Sequence, residues 1–262
     1  MTDITRRPIK TEDLYTLEVI KGCEISPDGK NIIYSVSRID KKAEKKFANL
    51  WIVPTDGGAS RQFTFGDQTD MDARWSPDGS QIAFISNRGK DPTKQQIYVI
   101  PSLGGEARPL TDFHGEIGSF AWSPNGKKLV VQFRKTDADT LEREKNDEKK
   151  ALGVVAYQFD RIFFKLDGTG YLPHERWHLW IVDAASGKAR QITDHPIYDD
   201  QDPAWSADGK SIYYCSNHCP NPDLEYEKND LFVIPAAGGE PKRMDTSVGP
   251  KHHPSCSPDG KW

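Results

Sequence analysis

A tetrapeptide that keeps returning constrains this chain more than any other feature. Ser26-Pro27-Asp28-Gly29, Ser76-Pro77-Asp78-Gly79, Ser123-Pro124-Asn125-Gly126, Ser206-Ala207-Asp208-Gly209 and Ser257-Pro258-Asp259-Gly260 follow one another at intervals of 50, 47, 83 and 51 residues. Three intervals agree, and the long one reads as a single insertion of about 35 residues in a regular repeat. Two further landmarks travel with the first in a fixed order. One is an apolar run, Leu50-Trp51-Ile52-Val53, Ile97-Tyr98-Val99-Ile100, Leu179-Trp180-Ile181-Val182 and Leu231-Phe232-Val233-Ile234, followed by a small segment such as Asp56-Gly57-Gly58 or Leu103-Gly104-Gly105. The other is Arg61-Gln62-Phe63-Thr64, Arg108-Pro109-Leu110-Thr111, Arg190-Gln191-Ile192-Thr193 and a weaker Lys242-Arg243-Met244-Asp245.

Each landmark has a physical role. Ser-Pro-Asp-Gly suits a type I turn, with Pro fixing φ at the second position and Gly ending the reversal where φ is positive. Ala207 fits the second position because only a right-handed helical conformation is needed there. A short strand ends at Ile25, Trp75, Trp122, Trp205 or Cys256 just before each turn. After it come Ile32-Ile33-Tyr34, Ile82-Ala83-Phe84-Ile85, Leu129-Val130-Val131 and Ile212-Tyr213-Tyr214, apolar on consecutive residues. Strands read that way when both faces are covered by stacked sheets. The Leu-Trp-Ile-Val element is then the third strand and Arg-Gln-x-Thr the outer fourth. Four antiparallel strands per repeat define an all-β fold, a β-propeller of four-stranded antiparallel blades. A helical solenoid would need 3.6-residue periodicity, which these segments lack.

The expected blades are 22–65, 71–112, 117–194 with an insertion over 134–178, and 201–246, with 251–262 opening a fifth. Because Trp262 falls just after a turn whose partner strand is missing, the chain is expected to be a truncated ring. Residues 1–21 form an N-terminal extension, where Thr11 followed by Glu12-Asp13, Leu14, Leu17 and Val19-Ile20 predicts a short N-capped helix.

Composition narrows the function classes. A net charge of −4 offers no general attraction to nucleic acid or anionic lipid, and no apolar run approaches the roughly 18 residues of a membrane span. The N-terminal Met1-Thr2-Asp3-Ile4-Thr5-Arg6-Arg7-Pro8 has no apolar stretch of the secretory kind, and four cysteines do not make a disulfide scaffold, so a cytoplasmic location is expected.

The opening Arg7-Pro8-Ile9 to Leu14, the following Ile25-Ser26-Pro27-Asp28-Gly29 and the third-repeat insertion together resemble the propeller of the prolyl oligopeptidase family, in its acylaminoacyl-peptidase-like branch. The insertion runs from Phe159-Asp160-Arg161 through Asp167-Gly168-Thr169-Gly170-Tyr171-Leu172 to His178-Leu179-Trp180. TolB-type propellers share the Ser-Pro-Asp-Gly repeat. The resemblance implies a substrate-gating propeller that caps a C-terminal α/β-hydrolase domain with a Ser, Asp and His triad and admits short peptides. It also suggests seven blades. A homo-oligomer stays open, and a non-catalytic TolB-like interaction propeller is the alternative.

The chain itself carries no Gly-x-Ser-x-Gly nucleophile elbow; the look-alike Gly57-Gly58-Ala59-Ser60-Arg61 lacks the final glycine and falls in a blade hairpin. No catalytic residue, cofactor or metal is assigned. Dipeptidyl peptidases of the family anchor the substrate amine on adjacent glutamates, and no Glu-Glu pair occurs here.

Three constellations merit weighing. Cys215-Ser216-Asn217-His218-Cys219 with His252-His253 and Cys256 has zinc-ligand chemistry, but Cys215 on the second strand and Cys256 in a tryptophan position are expected inside as small hydrophobes. The charge runs 137–150 and 40–46 are expected to be solvated excursions, the first partly helical. Tyr157, Phe159, Phe163, Phe164 and Tyr171 form an aromatic cluster, read as an extra hairpin packed on its own blade rather than a gate reaching toward the substrate path.

Overall fold

The computed structural model describes residues 7–153 and 158–262. The chain divides into two compact units, Met1–Pro109 and Leu110–Trp262.

The first unit holds two sheets of the same design. β1 (Val19–Ile25), β2 (Asn31–Asp40), β3 (Lys45–Pro54) and β4 (Arg61–Gln62) hydrogen-bond in chain order, as do β5 (Asp70–Trp75), β6 (Gln81–Ser86), β7 (Gln96–Pro101) and β8 (Arg108–Pro109). All pairs are antiparallel. The second unit repeats the pattern. β9 (Gly115–Trp122) and β10 (Lys128–Lys135) lead into α1 (Ala138–Lys145), α2 (Asp147–Ala151) and a small hairpin, β11 (Lys165–Leu166) with β12 (Gly170–Tyr171). The sheet is then completed by β13 (Trp177–Asp183) and β14 (Ala189–Gln191). β15 (Asp200–Trp205), β16 (Ser211–Ser216), β17 (Asp230–Pro235) and β18 (Lys242–Arg243) make the last sheet. The expected four-stranded antiparallel sheets are present, at the expected places in the repeat.

The recurring tetrapeptide works as a hydrogen-bonded knot. The Ser26 hydroxyl donates to Asp28 Oδ1 at 2.6 Å and accepts the Asn31 N–H at 2.9 Å, while the Gly29 N–H donates to the Ser26 carbonyl at 2.8 Å. The same bonds recur at Ser76, Ser123, Ser206 and Ser257. Asn125 replaces aspartate without loss because only its Oδ1 is used, by Ser123 and the Lys127 N–H. The glycines sit at φ of +67° to +72°, which a side chain disfavours. Hydrogen bonds from Ser and from backbone N–H groups hold the Asp28, Asp78 and Asp259 carboxyls below the usual range; at Asp208 the Lys210 N–H is the larger influence.

The third landmark is explained by its threonine. Thr64 Oγ1 accepts the Leu50 N–H and Thr193 Oγ1 the Leu179 N–H, both at 2.9 Å, which ties each two- or three-residue fourth strand to the third. Packing follows the sequence pattern. β6 and β10 are buried along almost their whole length, as consecutive apolar residues predict. β2 instead alternates between buried and half-buried residues. One core gathers Ile33, Leu50, Trp75, Ile82 and Phe84; another gathers Val130, Leu179, Trp205, Ile212 and Tyr214. The tryptophans also bond backward within each unit, Trp75 Nε1 to the Glu24 carbonyl at 3.4 Å and Trp205 Nε1 to the Ala121 carbonyl at 3.1 Å.

Three expectations are corrected. The N-terminal helix is a single 3₁₀ segment, Thr11–Thr16, with Lys10 rather than Thr11 before its first turn. Asp13 Oδ2 accepts the Lys10 N–H at 2.9 Å, and Val19-Ile20 already belong to β1. In 251–262 the Ser257 turn forms but the described residues make no strand, so Cys256 ends no strand and is half-buried rather than inside. Ile25 ends β1 as expected. Finally, the insertion does not pack only on its own sheet.

Candidate functional site

The insertion between β10 and β13 lines two clefts in the second unit. Its stem is closed by Asp137, whose carboxylate accepts the His174 and Glu175 N–H groups at 3.0 and 2.9 Å. α1 and α2, from the 137–150 charge run, bury no side chain, as a solvated excursion should. The aromatic stretch behaves differently. Phe159 stacks on Tyr171 at 5.5 Å and meets Phe164 at 5.1 Å, bracing the β11–β12 hairpin; Tyr157 lies outside the described residues.

The tip of the insertion crosses to the loop between β16 and β17. Arg161 pairs with Asp223 at 3.1 Å, and the Ile162 and Phe163 N–H groups donate to the same carboxylate at 3.1 and 3.4 Å. Phe163 meets Tyr226 edge-on at 6.2 Å. Burial pushes the Asp223 carboxyl up, but the Arg161 guanidinium and the N–H donors outweigh it and hold the carboxyl below its usual value. The receiving loop is rigidified by Asn217, whose Nδ2 donates to the Glu225 carbonyl at 2.7 Å and whose Oδ1 accepts the Cys219 N–H at 3.1 Å.

A cleft of about 380 Å³ lies beneath this contact, with Arg134, Arg161 and Arg176 among its walls beside Phe163, Trp177 and Tyr226. A second cleft of about 590 Å³ opens on the other side of Arg161 and Arg176, lined by Asp137, Asp139, Asp160, Glu175 and His195. The two share arginines but differ in sign: the larger is rich in carboxylates, the smaller in guanidinium groups and rings.

The zinc-like constellation is not brought together. Cys215 is buried on β16, where loss of solvent pushes its thiol up to about 11. His218 is sandwiched between Tyr198 and Phe232, each at 4.2 Å, with His195 stacked beyond Tyr198 at 4.0 Å. His253 pairs instead with Asp202, through Nδ1 at 3.2 Å, and all four cysteines are free thiols. Among the described residues no three His, Cys, Asp or Glu side chains are grouped to hold a metal. Ser60 of the elbow look-alike is exposed in the turn between β3 and β4.

Two repeated signals escaped the sequence reading. Asp70-Met71-Asp72 and Asp200-Gln201-Asp202 stand at the same offset before their turns, as do Ser86-Asn87 and Ser216-Asn217 after them. Asp70 is fully buried, accepting from Ser86 Oγ and Arg88 Nη2, both at 2.6 Å; Asp200 is equally buried and meets His178 Nδ1 at 3.2 Å. Asp72 and Asp202 adopt φ of +51° and +54° at bulges, where Gly22 in β1 has +50°. Aligning the repeats by offset from the turn serine finds all of them.

Four-stranded antiparallel meanders, repeated along the chain and each knotted by the same turn, define a β-propeller repeat protein. The chain belongs to the TolB β-propeller domain family, whose pattern matches residues 14–155. It is 29% identical over 87% of its length to the uncharacterised peptidase YuxL of Bacillus subtilis, and 27% identical over 96% to dipeptidyl-peptidase 5 of Porphyromonas endodontalis. It spans 34% and 37% of those two proteins, about a third of each. In fold it is similar to acylaminoacyl peptidase of Pyrococcus horikoshii, with a TM-score of 0.67 at 17% identity, over 89% of this chain and 33% of that one. A putative TolB of Agrobacterium tumefaciens superposes with a TM-score of 0.59 at 20% identity, over 93% of this chain and 68% of that one. Among the described residues no helix is long and apolar enough to cross a membrane.

Proposed function

We propose that this chain is the propeller region of a serine peptidase, limiting access of short peptides to a catalytic α/β-hydrolase domain that lies outside these 262 residues. The observation that carries the reading is the match, along nearly the whole chain, to one third of two proteins named as peptidases. It is supported by the insertion, which adds a second layer of clefts beside a plain sheet. The enzyme works in the cytoplasm, in keeping with four free thiols. Chemistry comes from a triad and oxyanion hole elsewhere in the protein.

The test is a length series of peptides given to the full-length enzyme with and without residues 137–172. Restriction by the insertion predicts that the deletion raises turnover of the longest peptides relative to the shortest. Unchanged cleavage at every length would refute gating. A fluorophosphonate probe should label the full-length enzyme and leave this 262-residue chain unlabelled. The TolB-like alternative, favoured by the superposition on the Agrobacterium protein, predicts no labelling of either.

A further inference from the structure

The smaller cleft of the second unit contains a cation whose hydrogen bonding is incomplete. Arg134, on β10, is 6% exposed. Its Nη2 pairs with Glu116 at 2.6 Å and its guanidinium lies 4.6 Å from the Trp177 ring centre, but its Nε is dry and has no acceptor. A buried unpaired donor on a charged group is costly, more so than on a neutral one. Two more guanidinium groups line the same cleft. Arg161 is committed to Asp223, whereas Arg176 is held loosely, 3.5 Å from Asp199 and 3.3 Å from the Pro196 carbonyl. Each of the three arginines has one carboxylate partner, Glu116, Asp223 and Asp199, so what the cleft offers is the spare donor capacity of Arg134 and the long contact of Arg176. Beside them the wall carries the rings of Phe163, Trp177 and Tyr226, with the amides of Gln201, Asn217 and Asn229.

Guanidinium groups bind carboxylates with charge-assisted, often bidentate hydrogen bonds, and here that charge stands beside rings able to pack an apolar side chain. We infer that this cleft receives the free C-terminal carboxylate of a short peptide whose last residue is apolar or aromatic. Arg176 turns from its long contact with Asp199 to the incoming carboxylate, Arg134 supplies the fixed positive charge behind it, and the side chain lies against Phe163 and Tyr226. The inference uses the peptidase reading only for the origin of the peptide; the binding site stands on the cleft itself.

Calorimetric titration of this chain decides it, because no catalysis is needed. N-acetyl-alanyl-phenylalanine with a free carboxylate is the ligand, compared with its C-terminal amide and with the amide of N-acetyl-glutamyl-phenylalanine, which carries its carboxylate on a side chain. The free acid should bind about tenfold or more tighter than either amide. Arg176→Gln should weaken the free acid by about the same factor while leaving the amides unchanged. Because Arg134→Gln leaves Glu116 without its partner and risks misfolding, Arg134→Lys serves as the second variant and should weaken the acid with the melting temperature retained. Equal binding of acid and amide, an equal or tighter glutamyl amide, no detectable binding of the acid, or an Arg176→Gln protein that binds normally would each overturn the assignment. Failure here leaves the peptide-length test untouched, and the reverse also holds.

Discussion

The connection between the second and third strands differs sharply between sheets two and three. In sheet two it is a short loop, residues 87–95, and Asn87 fastens it: Oδ1 accepts the Thr69 N–H at 2.8 Å and Nδ2 donates to the Pro92 carbonyl at 3.0 Å. In sheet three the same position carries residues 136–176, with two solvated helices, a hairpin and an ion pair to Asp223 of sheet four. The flanking strands hardly notice. β10 and β13 stay paired from Lys128–Asp183 to Arg134–Trp177, as β6 and β7 do from Gln81–Pro101 to Ser86–Gln96. A four-stranded meander is therefore an insulated scaffold, and elaboration at one loop builds clefts without disturbing the ladder. Long surface insertions are tolerated because loop closure costs grow only slowly with length.

That contrast is open to attack at several scales. The largest effect should come from the repeat core: Trp205→Ala should lower the unfolding free energy of this protein by about 3–5 kcal/mol in denaturant titration, with Trp75→Ala similar. A cost below about 1 kcal/mol would mean the sheets are not held by these cores. Next, Gly209→Ala should cost about 1 kcal/mol, since the turn holds φ at +67° and a methyl group gains nothing there. Acid should act on the same turns. Asp28, Asp78 and Asp208 have folded values below the unfolded one, so their contribution is present above about pH 4 and fades as pH falls through the folded values. Replacing all three by Asn should flatten that part of the stability–pH curve while keeping the Oδ1 acceptor, as Asn125 does naturally. The smallest effect concerns His218. Burial between rings lowers its value, Asp200 and Asp230 oppose this, and His195 reinforces it. Stability should therefore fall slightly as pH drops from about 6.5, and His218→Phe should remove that slope in thermal melts at pH 5.5 and 7.5.

The scaffold was legible in the sequence because its determinants are local. Ser76 to Gln81 close one knot within six residues, and the apolar run Ile82-Ala83-Phe84-Ile85 reports a strand covered on both faces. The N-terminal segment was misjudged because an acidic pair after Thr11 fits an N-capped α-helix, whereas Asp13 bonds back to Lys10 in a single 3₁₀ turn. Analogy with Trp75 and Trp205 puts Cys256 inside, whereas it is half-buried and the described residues 251–262 form no strand. The docking of the insertion was hidden for a different reason. Arg161 and Asp223 are 62 residues apart, and nothing periodic links them. The incomplete cation at Arg134 was equally invisible, since a missing acceptor is a property of packing and not of residue order.

Backbone hydrogen exchange on the native protein and on Asp223→Ala tests the central claim, a rigid repeat scaffold with an insertion docked through one carboxylate. The Ile162 and Phe163 amides, which donate to Asp223, should be protected in the native protein and fast in the variant, while β16 and β17 amides exchange unchanged. Unprotected Ile162 and Phe163 in the native protein, or a variant in which β16 loses protection along with them, would contradict it.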